Sequence, residues 1–332
     1  MHHVEITSQL EGQHIEELEE LIEAATAADG HEPIGEHKFL RLRQGDDLAL
    51  AILAYESGRL VGYAHTLTFG SGDQRRISCE MVVHPDHRRQ GIGSSLLREV
   101  IAHAEAEGAR RLDLWAYNDS AASRRMAESL GLKPMRHLLH MHRHPGEPPS
   151  VEAPQGARIR PFRPDLDNVE WLQLNNRIFR GHPENGSWTL NDLRARMEQP
   201  WFRPEDFLLL EVDGRLCGFC WLKVEERQGK GQVGEIYVIG TAPEYQGRGL
   251  GRYLLSRALA HLQGRRVDTV AVYVDDSNSS AVALYESFDF HHHHVDVCYW
   301  LPLPASKFIQ HSGAAKLARG AAGVSEPGAE SP

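Results

Sequence analysis

Two glycine-bearing loops in this chain have the residues to hold an anion: Arg88-Arg89-Gln90-Gly91-Ile92-Gly93 and Gln246-Gly247-Arg248-Gly249-Leu250-Gly251. Each follows an apolar run of strand character and precedes a stretch of helical spacing. Glycines let the backbone turn tightly with its N–H groups pointing inward, and the following helix adds the positive end of its dipole. Arg88, Arg89, Arg248 and Arg252 lie in the same stretches. One glycine pair alone is as often a plain turn, but two such loops, each with arginines, point to a phosphate-bearing ligand. The nucleoside triphosphate loop needs Gly-Lys-Ser/Thr, and the dinucleotide fingerprint needs a third glycine where this chain has Leu96 and Leu254.

The loops belong to a repeat. Gly58-Arg59-Leu60-Val61-Gly62-Tyr63-Ala64 returns as Gly214-Arg215-Leu216-Cys217-Gly218-Phe219-Cys220, 156 residues on. Pro85 to Gly93 returns as Pro243 to Gly251, and Ala127 to Leu132 as Tyr285 to Phe290, both at an offset of 158. Apolar spacing within each copy predicts a helix, a hairpin of two strands, a third strand, the glycine loop with its helix, a strand, a helix and a closing strand. The fold class expected is mixed α/β, a largely antiparallel sheet with helices on both faces. The expected domains are residues 1–144 and 157–303. They are joined by a proline- and glycine-rich linker at 145–156 and followed by a disordered tail at 304–332.

The composition narrows the function classes. Of 332 residues, 25% are charged and 41% apolar, as in globular proteins, and no apolar run reaches the roughly 18 to 20 residues of a membrane span. The start, Met1-His2-His3-Val4, lacks the basic end and apolar run of a secretion signal, so a cytoplasmic protein is expected. A net charge of -10 argues against nucleic acid as partner. Four scattered cysteines argue against a disulfide scaffold. A monomer acting on a small molecule, away from membranes, is the expectation.

With the later Asn278 and the Leu284-Tyr285-Glu286 run ahead of Phe290, the glycine loop resembles the coenzyme A site of the GNAT superfamily of N-acetyltransferases, in both copies. The resemblance implies acetyl-CoA as cosubstrate, its pyrophosphate on the loop and its pantetheine arm between two splayed central strands. In the first copy it assigns cofactor contacts to Met81, Val82, Val83, Arg89, Gln90, Gly91, Ile92, Gly93 and Ser94. In the second it assigns them to Ile239, Gly240, Thr241, Gln246, Gly247, Arg248, Gly249, Leu250, Gly251, Arg252, Asn278, Ser279, Ser280, Ala281, Val282 and Ala283. Shorter strings, among them Pro33-Ile34-Gly35-Glu36, Asn175-Asn176-Arg177-Ile178-Phe179 and Gly234-Glu235-Ile236-Tyr237, resemble tandem members that acetylate the cysteinyl amine of a cysteinyl-glucosaminyl-inositol. Another small amine, a protein N-terminus, or a non-catalytic acyl-CoA sensor remain as alternatives.

Acetyl transfer needs a neutral amine, an oxyanion site and a proton for the departing thiolate. By the resemblance Glu235 is the general base and Tyr285 the general acid, with Glu36, Glu184, Lys223, Glu235 and Tyr273 as substrate contacts. The 158 offset sets Ile77 and Ala127 against Glu235 and Tyr285. It also places Glu80 three residues from the base position, which on a regular strand is the opposite face. The first copy is therefore expected to bind acetyl-CoA without catalysing. No metal is expected. Cys217 and Cys220 should face opposite sides of a strand, and at most two of His291 to His294 could share a face, with His137, His140, His142 and His144 following the same logic.

Overall fold

The computed structural model describes residues 2–10, 12–35, 49–182, 188–227 and 231–304. The expected tail lies almost wholly outside the described residues. The first half runs β1 (His3–Thr7), α1 (Gly12–Asp29), β2 (Ala49–Glu56), β3 (Arg59–Phe69), β4 (Arg76–Val83), α2 (Ile92–Ala106), β5 (Arg111–Ala116), α3 (Ala121–Ser129) and β6 (Lys133–Arg143). The second runs β7 (Ala157–Pro161), α4 (Asn168–Ile178), α5 (Leu190–Met197), β8 (Phe207–Val212), β9 (Arg215–Arg227), β10 (Gly231–Thr241), α6 (Leu250–Gly264), β11 (Thr269–Asp275), α7 (Ser279–Glu286) and β12 (His291–Pro302).

Local chemistry accounts for these elements. Buried Leu18, Leu21 and Ala25 form one stripe of α1, and Ile92, Leu96, Leu97, Val100 and Ala104 one stripe of α2. The hairpins turn on Ser57-Gly58 and Asp213-Gly214, whose φ values of 53°, 78°, 49° and 74° match the two-residue turn that follows strand twist. Side chains of Ser120 and Asn278 cap α3 and α7.

The twelve strands among the described residues form one sheet, ordered β1-β2-β3-β4-β5-β12-β6-β11-β10-β9-β8-β7. Among the described residues only β4/β5 and β10/β11 are parallel pairs, so the sheet is largely antiparallel. The closing strands of the two halves are exchanged. β12 lies between β5 and β6, while β6 pairs with β11 and β12. Val297, Tyr299 and Leu303 complete the first half's core against Leu112, Leu114 and Leu132, and Leu139 and Met141 join Phe288 and Phe290 in the second. The division by sequence at 144 is thus not a division of the sheet. The 145–156 segment carries neither helix nor strand. Arg143 holds its start through the carbonyls of His144, Gly146 and Glu147, and Ser256 donates to the Pro149 carbonyl.

Bulges break the alternation at the positions where parity was used. In β9, Leu210 pairs with Gly218 and Glu211 with Leu216, leaving Cys217 as the extra residue. Cys217 and Cys220 therefore share one buried cluster rather than facing opposite sides. In β10, Ile236 pairs with Leu222 and Val238 with Trp221, so Tyr237 is extra. In β12, His292 pairs with Met141 and His294 with His140, so His293 is extra.

Candidate active site

The parallel strands at the centre of each half run together only briefly. β10 pairs with β11 from Val233 to Ile236, and β4 with β5 from Arg76 to Cys79. Beyond those residues both β10 and β4 continue without that neighbour, so the sheet splays. In the second half the backbone amides of β10 that face β11 have no strand to bond after Ile236, and Glu235 stands one residue before that last paired step.

A cavity of about 1510 Å³ opens at this splay. Its lining includes Ile239, Gly240, Thr241, Gln246, Gly247, Gly249, Leu250 and Gly251, then Asn278, Ser280 and Ala281, and also Lys223, Glu235, Tyr273 and Tyr285. Gly247 and Gly249 have φ of 75° and 77°, the left-handed region that favours glycine. Among the described residues no backbone acceptor meets the N–H groups of 247–252, as befits a helix N-terminus able to receive an anion. Arg248 and Arg252 do not line the cavity. Arg248 donates to the Glu244 carbonyl at 3.2 Å and lies over Tyr245, while Arg252 donates to Ser287 Oγ at 2.7 Å. Ser279, Val282 and Ala283 also lie off the lining.

Glu235 and Lys223 are cross-strand partners, 9% and 8% exposed. Lys223 Nζ stands 3.0 Å from Glu225 Oε2 and 5.2 Å from the Trp201 ring. Tyr285 is buried against Phe290, and burial, with Cys220 nearby, pushes its phenol well above the ordinary value. A buried phenol stays protonated and remains a donor. Burial likewise raises the Cys217 thiol to about 11 and the Cys220 thiol further, so these free cysteines are apolar filling rather than nucleophiles. Glu36 and Glu184 lie outside the described residues.

The first copy's loop is built alike. Arg89 occupies the place of Gly247 with φ 63°, and Gly91 that of Gly249 with φ 86°. Arg88 is committed elsewhere, with two bonds of 2.7 Å to Asp29. None of Met81, Val82, Val83, Arg89, Gln90, Gly91, Ile92, Gly93 and Ser94 lines the shared cavity. The extra residue in β10 changes the match of the copies. Counted through strand pairing, Glu235 is equivalent to Ser78, not Ile77, and Glu80 lies two residues on, on the same face. The expectation that Glu80 points to the opposite face is overturned.

Sequence reasoning thereby missed a second carboxylate group of the cavity. Glu80 is fully buried, accepts from Tyr117 Oη at 2.5 Å and from the Gly35 N–H at 2.7 Å. Asp296, from the exchanged β12, is 1% exposed. Burial, aided by the charge of Glu80 and opposed by the Asn118 N–H, raises its carboxyl to about 7. Both line the same cavity as Glu235. No single-position signal in the sequence marks them, since strand exchange brings Asp296 there.

A family model described as the acetyltransferase (GNAT) family matches the chain twice, at residues 15–132 and 168–290. Among relatives, a protein named mycothiol acetyltransferase from Thermomonospora curvata is 43% identical over 286 residues, 86% of this chain and 92% of that one. One of the same name from Thermobispora bispora is 43% identical over 283 residues, 84% of this chain and 93% of that one. Among solved structures, a tandem GNAT protein from the clavulanic acid biosynthesis pathway aligns with a TM-score of 0.69 at 16% identity, over 91% of this chain and 98% of that one. A GCN5-related N-acetyltransferase from Sphaerobacter thermophilus gives 0.63 at 22%, over 91% and 95%. The chain belongs to the acetyltransferase (GNAT) family, whose module it carries twice.

Proposed function

We propose that the chain transfers the acetyl group of acetyl-CoA to the cysteinyl amine of desacetylmycothiol, giving mycothiol, and that the second copy carries the chemistry. The relatives' shared name supports the substrate. The observation that carries the site is the splay beyond Ile236, where a glycine loop, a buried carboxylate and a buried phenol line one cavity. Phosphates of the coenzyme meet the N–H groups of 247–252, and its acyl arm runs between β10 and β11. Glu235 takes a proton from the ammonium, directly or through one water, and the freed amine attacks the thioester carbonyl. Unpaired amides of β10 receive the developing oxyanion. Collapse breaks the carbon–sulfur bond and the Tyr285 hydroxyl passes its proton to the leaving thiolate; the second proton shed by the amide nitrogen restores the Tyr285 phenol through water, and Glu235 releases its own proton to solvent. Carboxylate, phenol and backbone amides suffice, so the transfer itself routes no step through a metal.

The first copy keeps the loop but has Ser78 and Ala127 where the second has Glu235 and Tyr285, which supports a binding role without turnover. The test is a release assay for free CoA with desacetylmycothiol beside glucosamine, an aminoglycoside and a peptide N-terminus. Preference for desacetylmycothiol, with Glu235→Gln lowering kcat about 10²-fold or more, supports the reading. Preference for a generic amine overturns the substrate, and an active Glu235→Gln overturns the base.

A further inference from the structure

The exchange of β6 and β12 gathers histidines that are far apart in sequence. His140 and His142 project from β6 and His293 and His294 from β12, and the bulge at His293 turns what alternation would scatter toward one side. The rings of His140 and His142 are 4.5 Å apart between centroids, those of His142 and His293 4.0 Å. One ring nitrogen each from His140, His142 and His293 lies within 4.8 Å of the others. Tetrahedral zinc with bonds of about 2.0 to 2.1 Å separates its nitrogens by about 3.3 Å, so small side-chain rotations close the set.

The set runs from the interior to the surface, with His140 buried, His142 half-buried and His293 exposed. His140 is 3% exposed and stacked on Tyr273 at 4.1 Å. His294 approaches His140 Nδ1 at 3.0 Å and stands 3.6 Å from Asp296 Oδ1. Asp296 Oδ2, buried in the same cavity wall, has no hydrogen-bond partner among the described residues. Asp296 thus backs His294, which in turn contacts His140, so the carboxylate reaches the ligand set through one intervening imidazole.

We propose that His140, His142 and His293 bind one divalent transition ion of the imidazole-preferring class, such as zinc, nickel or copper, with His294 and Asp296 supporting His140. The ion joins a strand of the first half to a strand of the second, so it fastens the exchanged strands beside the substrate cavity. It is a structural clamp and is independent of the acetyl-transfer reading.

The test uses the full chain without an affinity tag, with His2 and His3 replaced by alanine, stripped with chelator and titrated with cobalt(II) under visible absorption. One equivalent should give the intense bands of four-coordinate cobalt, displaceable by zinc, and zinc should raise Tm by several degrees through linkage. Both effects should disappear in His142→Ala/His293→Ala and persist in His137→Ala/His144→Ala, a pair on the same stretch of chain. Absence of a cobalt spectrum in the parent protein overturns the site, as does one equivalent retained by the His142/His293 variant. Should that variant unfold, His142→Gln/His293→Gln, matched to the metal-free parent in circular dichroism, makes the same comparison.

Discussion

Cutting the chain after residue 144 should yield a first half that does not fold as a stable monomer, although it contains a whole copy of the repeat. The fragment loses β12, the neighbour that β5 pairs with from Arg111 to Ala116. It also loses Val297, Tyr299 and Leu303, which are 4%, 3% and 7% exposed in the first half's core. At about 1.5 to 3 kcal/mol for each large apolar side chain fully buried, these three account for about 5 to 9 kcal/mol, an upper estimate. A whole domain has only about 5 to 15 kcal/mol of stability. The fragment also strands β6, whose Leu139 and Met141 pack in the other half. Urea denaturation followed by circular dichroism, with size-exclusion chromatography, should show a self-associated or loosely folded fragment. A chimera in which residues 289–304 replace β6 after a short linker should unfold in one cooperative step as a monomer. A monomeric 2–144 fragment with a urea midpoint near that of the full chain would refute the reasoning, because β6 would then have folded back onto β5 without the side chains of β12.

Four further substitutions test separate parts of the structure. Tyr285→Phe should lower kcat about 10²-fold with acetyl-CoA affinity unchanged. Because burial holds the phenol above its usual value, the parent's kcat should not fall on this group's account up to about pH 10; equal rates for parent and variant would remove the acid role. Gly249→Ala meets no atom within 4 Å, so its cost is the left-handed backbone, about 1 to 2 kcal/mol, together with weaker acetyl-CoA binding by calorimetry. Arg89→Gly relieves the same conformation in the first copy and should leave Tm no lower, and a fall in Tm would show that the guanidinium outweighs the strain. For Asp167, burial acts to raise the carboxyl, but hydrogen bonds from Arg160 and Arg163 overcome it and hold the group at about 2. A folded value below the unfolded one gives stability that is present above about pH 4 and lost as pH falls toward 2. The difference from an ordinary aspartate corresponds to about 2 kcal/mol. Asp167→Asn should therefore cost about that much at pH 7, with the gap to the parent closing in acid; a gap that persists at pH 2 would place the effect elsewhere.

What the sequence made legible, and what it hid, divide along one physical line. Features that a residue type enforces at its own position could be read directly. The loop glycines and the turns at Ser57-Gly58 and Asp213-Gly214 demand a left-handed backbone, and the apolar stripes of α1 and α2 demand a core. Features that depend on counting along a strand failed wherever one residue was extra. Cys217, Tyr237 and His293 carry no compositional mark of a bulge, yet each shifts the face of everything before it. The slip at Tyr237 placed Glu80 on the wrong face, and the slip at His293 scattered histidines that in fact converge.

The exchange of closing strands was hidden for a different reason, and it decides how the site is shared. Two copies of one module have closing strands that satisfy either partner's edge, so no local pattern distinguishes β5 beside β6 from β5 beside β12. Sequence order favours the first; the sheet has the second. Because β12 sits against β5, Asp296 enters the cavity from the second half while Glu80 enters from the first. Because β6 sits against β11, His140 lies across from Tyr273. The cavity that Glu235 lines is therefore composed of both copies. A molecule held in that cavity meets residues of the first half as well as of the second, so neither copy alone carries the whole lining.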